Sequence, residues 1–137
     1  MIRVAVTPLA DGLRLKAQGH AGYGPWGRDI VCAAVSALLY GFVAYLEGLP
    51  PASGREGDPE PHLAVEEGEG YLLVVTHGLG GDDLAAWRVI ATGMSLISQA
   101  YPACLYLQDM TLSETVIGRD GVDTPHTNNR ERRGNQV

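Results

Sequence analysis

Cysteine, positive charge and long apolar runs are all scarce in this chain. Its 137 residues include two cysteines, Cys32 and Cys104, so we expect free thiols and no disulfide scaffold. No apolar run reaches the ~18 residues of a membrane-spanning helix. The N-terminus also lacks the basic and apolar regions of a signal peptide. We therefore expect a cytoplasmic protein without a membrane partner.

The balance of charge argues against nucleic acid as a partner. Sixteen acidic residues outnumber ten basic ones, which gives a formal net charge of −6. No basic stripe is present to neutralise phosphates, so we expect no direct contact with nucleic acid. The hydrophobic fraction of 45% is ordinary for a globular protein. We expect one domain over residues 1–117 and a polar, disordered tail over residues 118–137.

The periodicity of apolar residues predicts the element order β-β-α-β-β-α-β. Alternating runs on either side of an Asp-Gly turn predict a first hairpin, and a second hairpin turns at residues 68–70. Apolar residues recur at three- and four-residue steps over 29–48 and 82–101, which predicts two helices. Residues 50–61 are rich in proline, glycine and charge and predict a surface loop, and residues 103–110 predict a fifth strand.

Each predicted helix carries one apolar stripe for the core. The first stripe comprises Val31, Val35, Leu38, Phe42, Tyr45 and Leu49, and the second comprises Ala86, Ile90, Met94, Ile97 and Tyr101. Two amphipathic helices can cover one face of a mainly antiparallel sheet. The expected fold class is therefore α+β, with two layers and both helices packed on one face of the sheet.

Cys32 falls three residues after the predicted N-cap Asp29, in the first turn of the first helix. The partial positive charge at a helix N-terminus stabilises a thiolate, which makes this position suitable for a nucleophile. Ser36 lies one turn further on the same, more polar side of the helix. The alternative is a small buried core cysteine, a common fate of free cysteine. Position and neighbours alone leave both interpretations open.

His20 follows Gly19 at the end of the second predicted strand, close to the start of the helix. A histidine there can serve as base for the thiol and then as acid for the leaving amine. Strict alternation, however, places His20 on the polar face, and only a bulge at Gly19 would re-aim it. The alternative is a solvent-facing histidine. His62, His77 and His126 are expected to be surface residues.

No metal site or cofactor is expected, because one cysteine and one histidine supply too few ligands. Asp29 has two possible roles. As N-cap it would accept the N–H of Cys32, although the nucleophile's own N–H is a usual oxyanion donor. Asp29 cannot bind the Cys32 N–H and also leave it free for an oxyanion. It would therefore either cap the helix through the Val31 N–H or turn to orient His20. The capping and the orienting interpretations both stay open.

The stretch AGYGPWG between His20 and Asp29 predicts a mobile substrate loop. Its glycines allow close approach of a peptide, and its aromatic rings offer apolar surface to a substrate side chain. The predicted loop residues are Gly22, Tyr23, Gly24, Trp26 and Gly27. The alternative is a simple linker whose aromatic rings fold onto the core.

The sequence GHA, a short glycine-rich loop and GRDIVCAAVSAL together closely resemble the ribosomal-processing cysteine protease family of bacteria. The resemblance covers roughly residues 1–110 and not the polar tail. It implies that Cys32 is the nucleophile and His20 the general base, and Asp29 matches the family's motif aspartate. Pro25 and Trp26 depart from the pattern, as does the arginine-bearing tail, and these departures leave the exact substrate open.

The resemblance also implies a substrate and an assembly. The family removes a short N-terminal extension from large-subunit ribosomal protein twenty-seven, cutting beside bulky aromatic or apolar residues, and some relatives process phage structural proteins. The resemblance implies a homodimer in which each chain forms a sheet and two helices. Two competing hypotheses remain: a non-catalytic dimeric module that binds the ribosome, with a structural Cys32, and a redox-sensing protein in which Cys104 resolves Cys32.

Overall fold

The computed structural model describes residues 1–48 and 62–110 of the chain. Its elements follow the order β-β-α-β-β-α-β, so the expected order and the α+β fold class are confirmed. They are β1 (Ile2–Pro8), β2 (Gly12–Gln18), α1 (Ile30–Leu46), β3 (His62–Gly68), β4 (Tyr71–His77), α2 (Gly81–Ala100) and β5 (Leu105–Gln108). The predicted loop over 50–61 and the predicted tail over 118–137 lie outside the described residues.

The strands form one sheet in the order β3-β4-β2-β1-β5. Its pairs are antiparallel except for β1 and β5, which are parallel. Consequently β2 and β3 run in one direction, β4 and β5 run in the other, and each helix is a crossover between strands of like direction. The crossover from β2 to β3 moves toward one edge of the sheet, and the crossover from β4 to β5 moves toward the other edge on strands of the opposite direction. Crossovers of this kind are almost always right-handed, which places both helices on the same face of the sheet. The contact between Phe42 of α1 and Trp87 of α2, 5.2 Å between ring centres, agrees with this placement.

The core lies between this face and the helices. Every second residue of the central strands is buried against it: Ile2, Val4 and Val6 in β1, Leu13, Leu15 and Ala17 in β2, and Leu72 and Val74 in β4. The residues between them point to the opposite face, where Arg14 is exposed and Lys16 lies 5.9 Å from the centre of the Tyr71 ring. The face that the helices leave uncovered is thus mixed, because Arg14 and Lys16 of β2 pair with the half-buried Val75 and Leu73 of β4.

The buried stripe of α1 is rotated slightly from the predicted one. Its buried residues are Val31, Val35, Leu39, Phe42, Val43 and Leu46. The predicted Leu38 and Tyr45 are only half-buried, and Leu49 lies outside the described residues. Leu38 faces α2, where a Cβ atom added at Gly93 would lie 3.1 Å from its Cδ1 atom. Leu38 therefore serves the contact between the helices rather than the contact with the sheet.

The second helix buries Trp87, which the predicted stripe omits. Its ring is 1% exposed and lies 5.2 Å from the Phe42 ring, and its Nε1–H donates to the Met110 carbonyl at 3.0 Å. The N-cap is Gly80, and the Asp83 carboxylate accepts the Gly80 N–H at 2.8 Å. Neither helix in the described part of the chain is long and apolar enough to cross a membrane.

Candidate active site

The Asp29 carboxylate ties the start of α1 to the loop that precedes it. Asp29 is the N-cap, and its Oδ1 atom accepts the N–H groups of Val31 and Cys32, both at 3.0 Å. Its Oδ2 atom accepts the N–H groups of Tyr23 at 2.8 Å and Gly24 at 3.0 Å. One side chain thus fixes the thiol-bearing turn and the glycine-rich loop relative to each other.

These four bonds also set the charge of Asp29, which is 9% exposed. Burial raises the pKa of this carboxyl, but the hydrogen bonds from the Cys32, Gly24, Tyr23 and Val31 N–H groups outweigh burial and leave the pKa below its usual range. The carboxylate is therefore ionised at neutral pH. Both of its oxygens face backbone N–H groups, and within the described residues it makes no hydrogen bond to His20.

His20 leaves the alternation of β2 because Gly19 turns the chain. Gly19 has φ +100°, a conformation that favours glycine, and its N–H donates to the Gly70 carbonyl at 2.8 Å. The His20 ring then lies against the turn between β3 and β4. A Cβ atom added at Gly70 would be 2.8 Å from the His20 Nε2 atom. His20 thereby reaches the side of the sheet on which Cys32 lies.

Cys32 is half-buried in the first turn of α1. Its Sγ atom accepts a hydrogen bond from the Ala21 N–H at 3.2 Å. No hydrogen bond joins His20 to Cys32 in the described part of the chain, but both line the same two cavities. Cys104 is buried directly before β5 and lines neither of them.

The first of these, here called the hairpin cavity, lies between α1 and the β3–β4 hairpin and has a volume of about 220 Å³. The second, the loop cavity, lies beneath the glycine-rich loop and has a volume of about 470 Å³. His20, Cys32 and Ser36 line both. The thiol therefore stands at the junction of two hollows, as a nucleophile must if a chain is to extend on both sides of the attacked bond.

The glycine-rich loop contributes unequally to the loop cavity. Gly22, Gly24, Trp26 and Gly27 line it, and the Trp26 side chain is 84% exposed. Tyr23, which the sequence predicts as a substrate-loop residue, lines neither cavity. Its ring packs edge-on against Tyr101 at the end of α2, with 5.0 Å between ring centres. Tyr23 therefore anchors the loop to α2, while Trp26 stays open to solvent.

The far end of the hairpin cavity is formed by residues that no sequence motif indicates. Tyr40 lines it together with Gly68, Gly70 and Tyr71 of the hairpin. A hydrogen bond to the Glu67 carboxylate, with burial and the nearby negative charge as smaller causes, raises the pKa of Tyr40. Helical spacing could have indicated Tyr40, which follows Cys32 by eight residues. The hairpin residues carry no such signal, because only strand pairing brings them to α1.

In chemical terms, the site offers a thiol nucleophile, an imidazole, backbone N–H donors and room for an extended chain. These groups suit acyl transfer. Within residues 1–48 and 62–110, no cluster of three histidine, cysteine, aspartate or glutamate side chains could hold a metal ion.

Comparison with known structures shows the same fold in proteases. The chain matches the ribosomal processing protease Prp from Staphylococcus aureus, in complex with a covalently linked product peptide, at a TM-score of 0.61 and 21% identity. The match covers 79% of this chain and 98% of that one. A protein from Streptococcus mutans matches at a TM-score of 0.54 and 24% identity, over 79% of this chain and 92% of that one. At these identities the likeness shows the shared fold.

Comparison of sequences shows the family. The ribosomal processing cysteine protease Prp of Mycoplasma genitalium is 38% identical in an alignment 98 residues long, which covers 64% of this chain and 79% of that protein. The protein of the same name from Mycoplasma pneumoniae is 29% identical over 101 residues, which are 74% of this chain and 91% of that protein. The family described as cysteine protease Prp matches residues 1–80. The chain is a cysteine peptidase and belongs to the cysteine protease Prp family.

Proposed function

We propose that this peptidase removes a short N-terminal extension from large-subunit ribosomal protein twenty-seven, or from a phage protein that carries a similar sequence. One observation carries the proposal: the Cys32 thiol and the His20 ring line the same two cavities of a chain that belongs to a cysteine protease family. The relatives from both Mycoplasma species are named as ribosomal processing proteases, which supports a ribosomal substrate.

In the proposed reaction, His20 takes the proton from the Cys32 thiol, and Sγ attacks the scissile carbonyl carbon. The carbonyl electron pair moves to oxygen and forms a tetrahedral oxyanion. As the oxyanion collapses, the C–N bond breaks and the leaving amine takes the proton from His20. Water then hydrolyses the thioester, with His20 as base, and regenerates the thiol.

The two cavities are proposed to hold the peptide on either side of the scissile bond. The loop cavity is the larger, and the exposed Trp26 ring at its edge offers apolar surface to a bulky aromatic or aliphatic substrate side chain. The hairpin cavity would receive the chain on the other side. Ser36 lines both cavities, and we propose that its hydroxyl positions the peptide between them.

The proposed setting follows from the proposed substrate. A precursor of a ribosomal protein is met in the cytoplasm, so we place the enzyme there. The net charge of −6 supports recognition of the protein extension without direct contact with nucleic acid. We further propose a homodimer, on the resemblance to the family, and a single protease domain over residues 1–117. No cofactor takes part in the proposed reaction.

The test is cleavage of the purified precursor of the ribosomal protein, read by mass spectrometry of the products. The enzyme should release the extension at one bond beside a bulky aromatic or apolar residue. A matched substrate in which that residue is changed to glycine should be cut far more slowly. Equal cleavage of both substrates, or cleavage at many bonds, would contradict a specific processing function.

A further inference from the structure

The amide group that usually receives the oxyanion is already engaged here. In acyl transfer the nucleophile's own N–H is a common oxyanion donor, but the Cys32 N–H donates to the Asp29 Oδ1 atom at 3.0 Å. This acceptor is a buried carboxylate that holds three further N–H groups. Freeing the Cys32 N–H would break a charge-assisted bond within this cluster, so another donor has to serve the oxyanion.

A second backbone N–H already points at the sulfur atom. Ala21 directly follows His20 and is 4% exposed, and its N–H lies 3.2 Å from the Cys32 Sγ atom. The geometry has a local cause, because Gly19 turns the chain at φ +100° and its own N–H is fixed on the Gly70 carbonyl. On the other side, Asp29 holds the loop through the Tyr23 N–H. The Ala21 N–H is thus held from both sides.

We propose that the Ala21 N–H is a catalytic oxyanion donor, which first stabilises the Cys32 thiolate and then the oxyanion formed from the scissile carbonyl. The inference rests on the proposed function. It assigns to the alanine of the GHA motif a role that its side chain does not reveal. The catalytic contribution of that residue lies in its backbone.

The electron balance explains why this donor would favour the transition state. As the C–S bond forms, negative charge moves from Sγ to the former carbonyl oxygen, which is bonded to the same carbon that Sγ attacks. A donor beside Sγ therefore needs only a small shift to follow the charge. Sulfur is a weak acceptor, whereas a hydrogen bond to a charged oxygen is short and strong. The interaction strengthens as the reaction proceeds, which is the condition for catalysis.

The experiment replaces the Ala21 amide by an ester and leaves the side chain intact. A synthetic segment of residues 1–31 with lactic acid at position 21 is ligated to residues 32–137, whose first residue, Cys32, provides the thiol for the ligation. Lactic acid has the methyl group of alanine but no N–H. The matched control carries lactic acid at Ala10, an exposed position in the turn between β1 and β2. Circular dichroism checks that both proteins fold.

We expect kcat of the position-21 ester to fall about 10²-fold with little change in KM, as for the loss of one oxyanion donor. We also expect slower alkylation of Cys32 by iodoacetamide at pH 7, because the thiolate loses a donor. A folded ester protein with kcat within twofold of the Ala10 control would overturn the proposal. Equal alkylation rates for the position-21 ester and the Ala10 control would overturn the proposed role of the Ala21 N–H at the Cys32 sulfur, and this measurement needs no peptide cleavage. If the all-amide protein cleaved no peptide, that result would refute the proposed function alone.

Discussion

At the scale of single residues, Asp29 joins two parts of the site through one ionised carboxylate. We expect Asp29→Asn to lower the melting temperature at pH 7, because the amide NH₂ group cannot accept the backbone N–H groups that one carboxylate oxygen now accepts. The pKa of Asp29 in the folded protein lies below its usual value of 3.8. Its contribution to the free energy of unfolding is therefore complete above pH 3.8 and is lost as the pH falls through the folded-state pKa. Thermal unfolding followed by circular dichroism at several pH values checks this.

The control for this prediction is Asp82→Asn, the same chemical change at an exposed position in the first turn of α2. It should lower the melting temperature much less. The difference in melting temperature between wild type and Asp29→Asn should also become smaller at the lowest pH values. A gap that stays constant from neutral to acidic pH would mean that the charge of Asp29 is not what stabilises the loop.

Gly70 is the residue on which the position of His20 depends. A methyl group there would approach the His20 Nε2 atom to 2.8 Å, so Gly70→Ala must displace the ring. We expect kcat/KM for the proposed peptide to fall by about 10²-fold, within the range of general acid–base catalysis. Gly48→Ala is the control, since Gly48 also has a positive φ, +74° against +61°, but a Cβ there would meet no atom within 4 Å. Equal rates for the two variants would contradict the proposed placement of His20.

At the scale of elements, one glycine in each helix separates the effect of helix propensity on stability from the effect of packing between the helices. Gly41 lies exposed within α1 and a Cβ there meets nothing within 4 Å, so Gly41→Ala should raise the free energy of unfolding by about 0.5–1 kcal/mol. Gly93→Ala in α2 should instead lower it by about 1 kcal/mol, because the methyl would press on the Leu38 Cδ1 atom at 3.1 Å. Urea unfolding measures both. Equal stabilisation by the two changes would contradict the close approach of the helices.

The spacing of apolar residues predicted the elements of the fold but not all of their contacts. Turn residues and alternation predicted both hairpins, and three- and four-residue spacing predicted both helices. The spacing could not distinguish Leu38, which faces α2, from Leu39, which joins the core, because both fit a helical stripe. Trp87 was missed for a related reason. Its burial depends on Phe42 of the other helix and on the Met110 carbonyl, which only the tertiary fold brings together.

At the scale of the whole molecule, the site is more than its motif. The GHA and DIVC stretches indicated His20 and Cys32, but strict alternation placed His20 on the wrong face of the sheet. Gly19 resolves this locally through its positive φ, and strand pairing then places Gly70 beneath the ring. Tyr40 and the hairpin complete a cavity that no single stretch of sequence contains. Those contacts arise from pairing β4 with β2, across more than fifty residues of chain.

The state of association is a property of the whole molecule as well. We expect a homodimer, so sedimentation equilibrium should give twice the chain mass of 14.6 kDa at micromolar concentration. The mass should stay constant on dilution across the range used for peptide cleavage. A mass of one chain at concentrations where the enzyme is fully active would contradict the dimer without touching the proposed chemistry.

The most direct test of the central claim compares wild type with Cys32→Ala on a peptide that spans the extension of the ribosomal protein. Cys104→Ala is the matched control, because Cys104 is the other cysteine of the chain and lines neither cavity. The wild type and a folded Cys104→Ala protein should each cut the peptide at a single bond, and Cys32→Ala should not cut it. Cleavage by Cys32→Ala at the wild-type rate would contradict it.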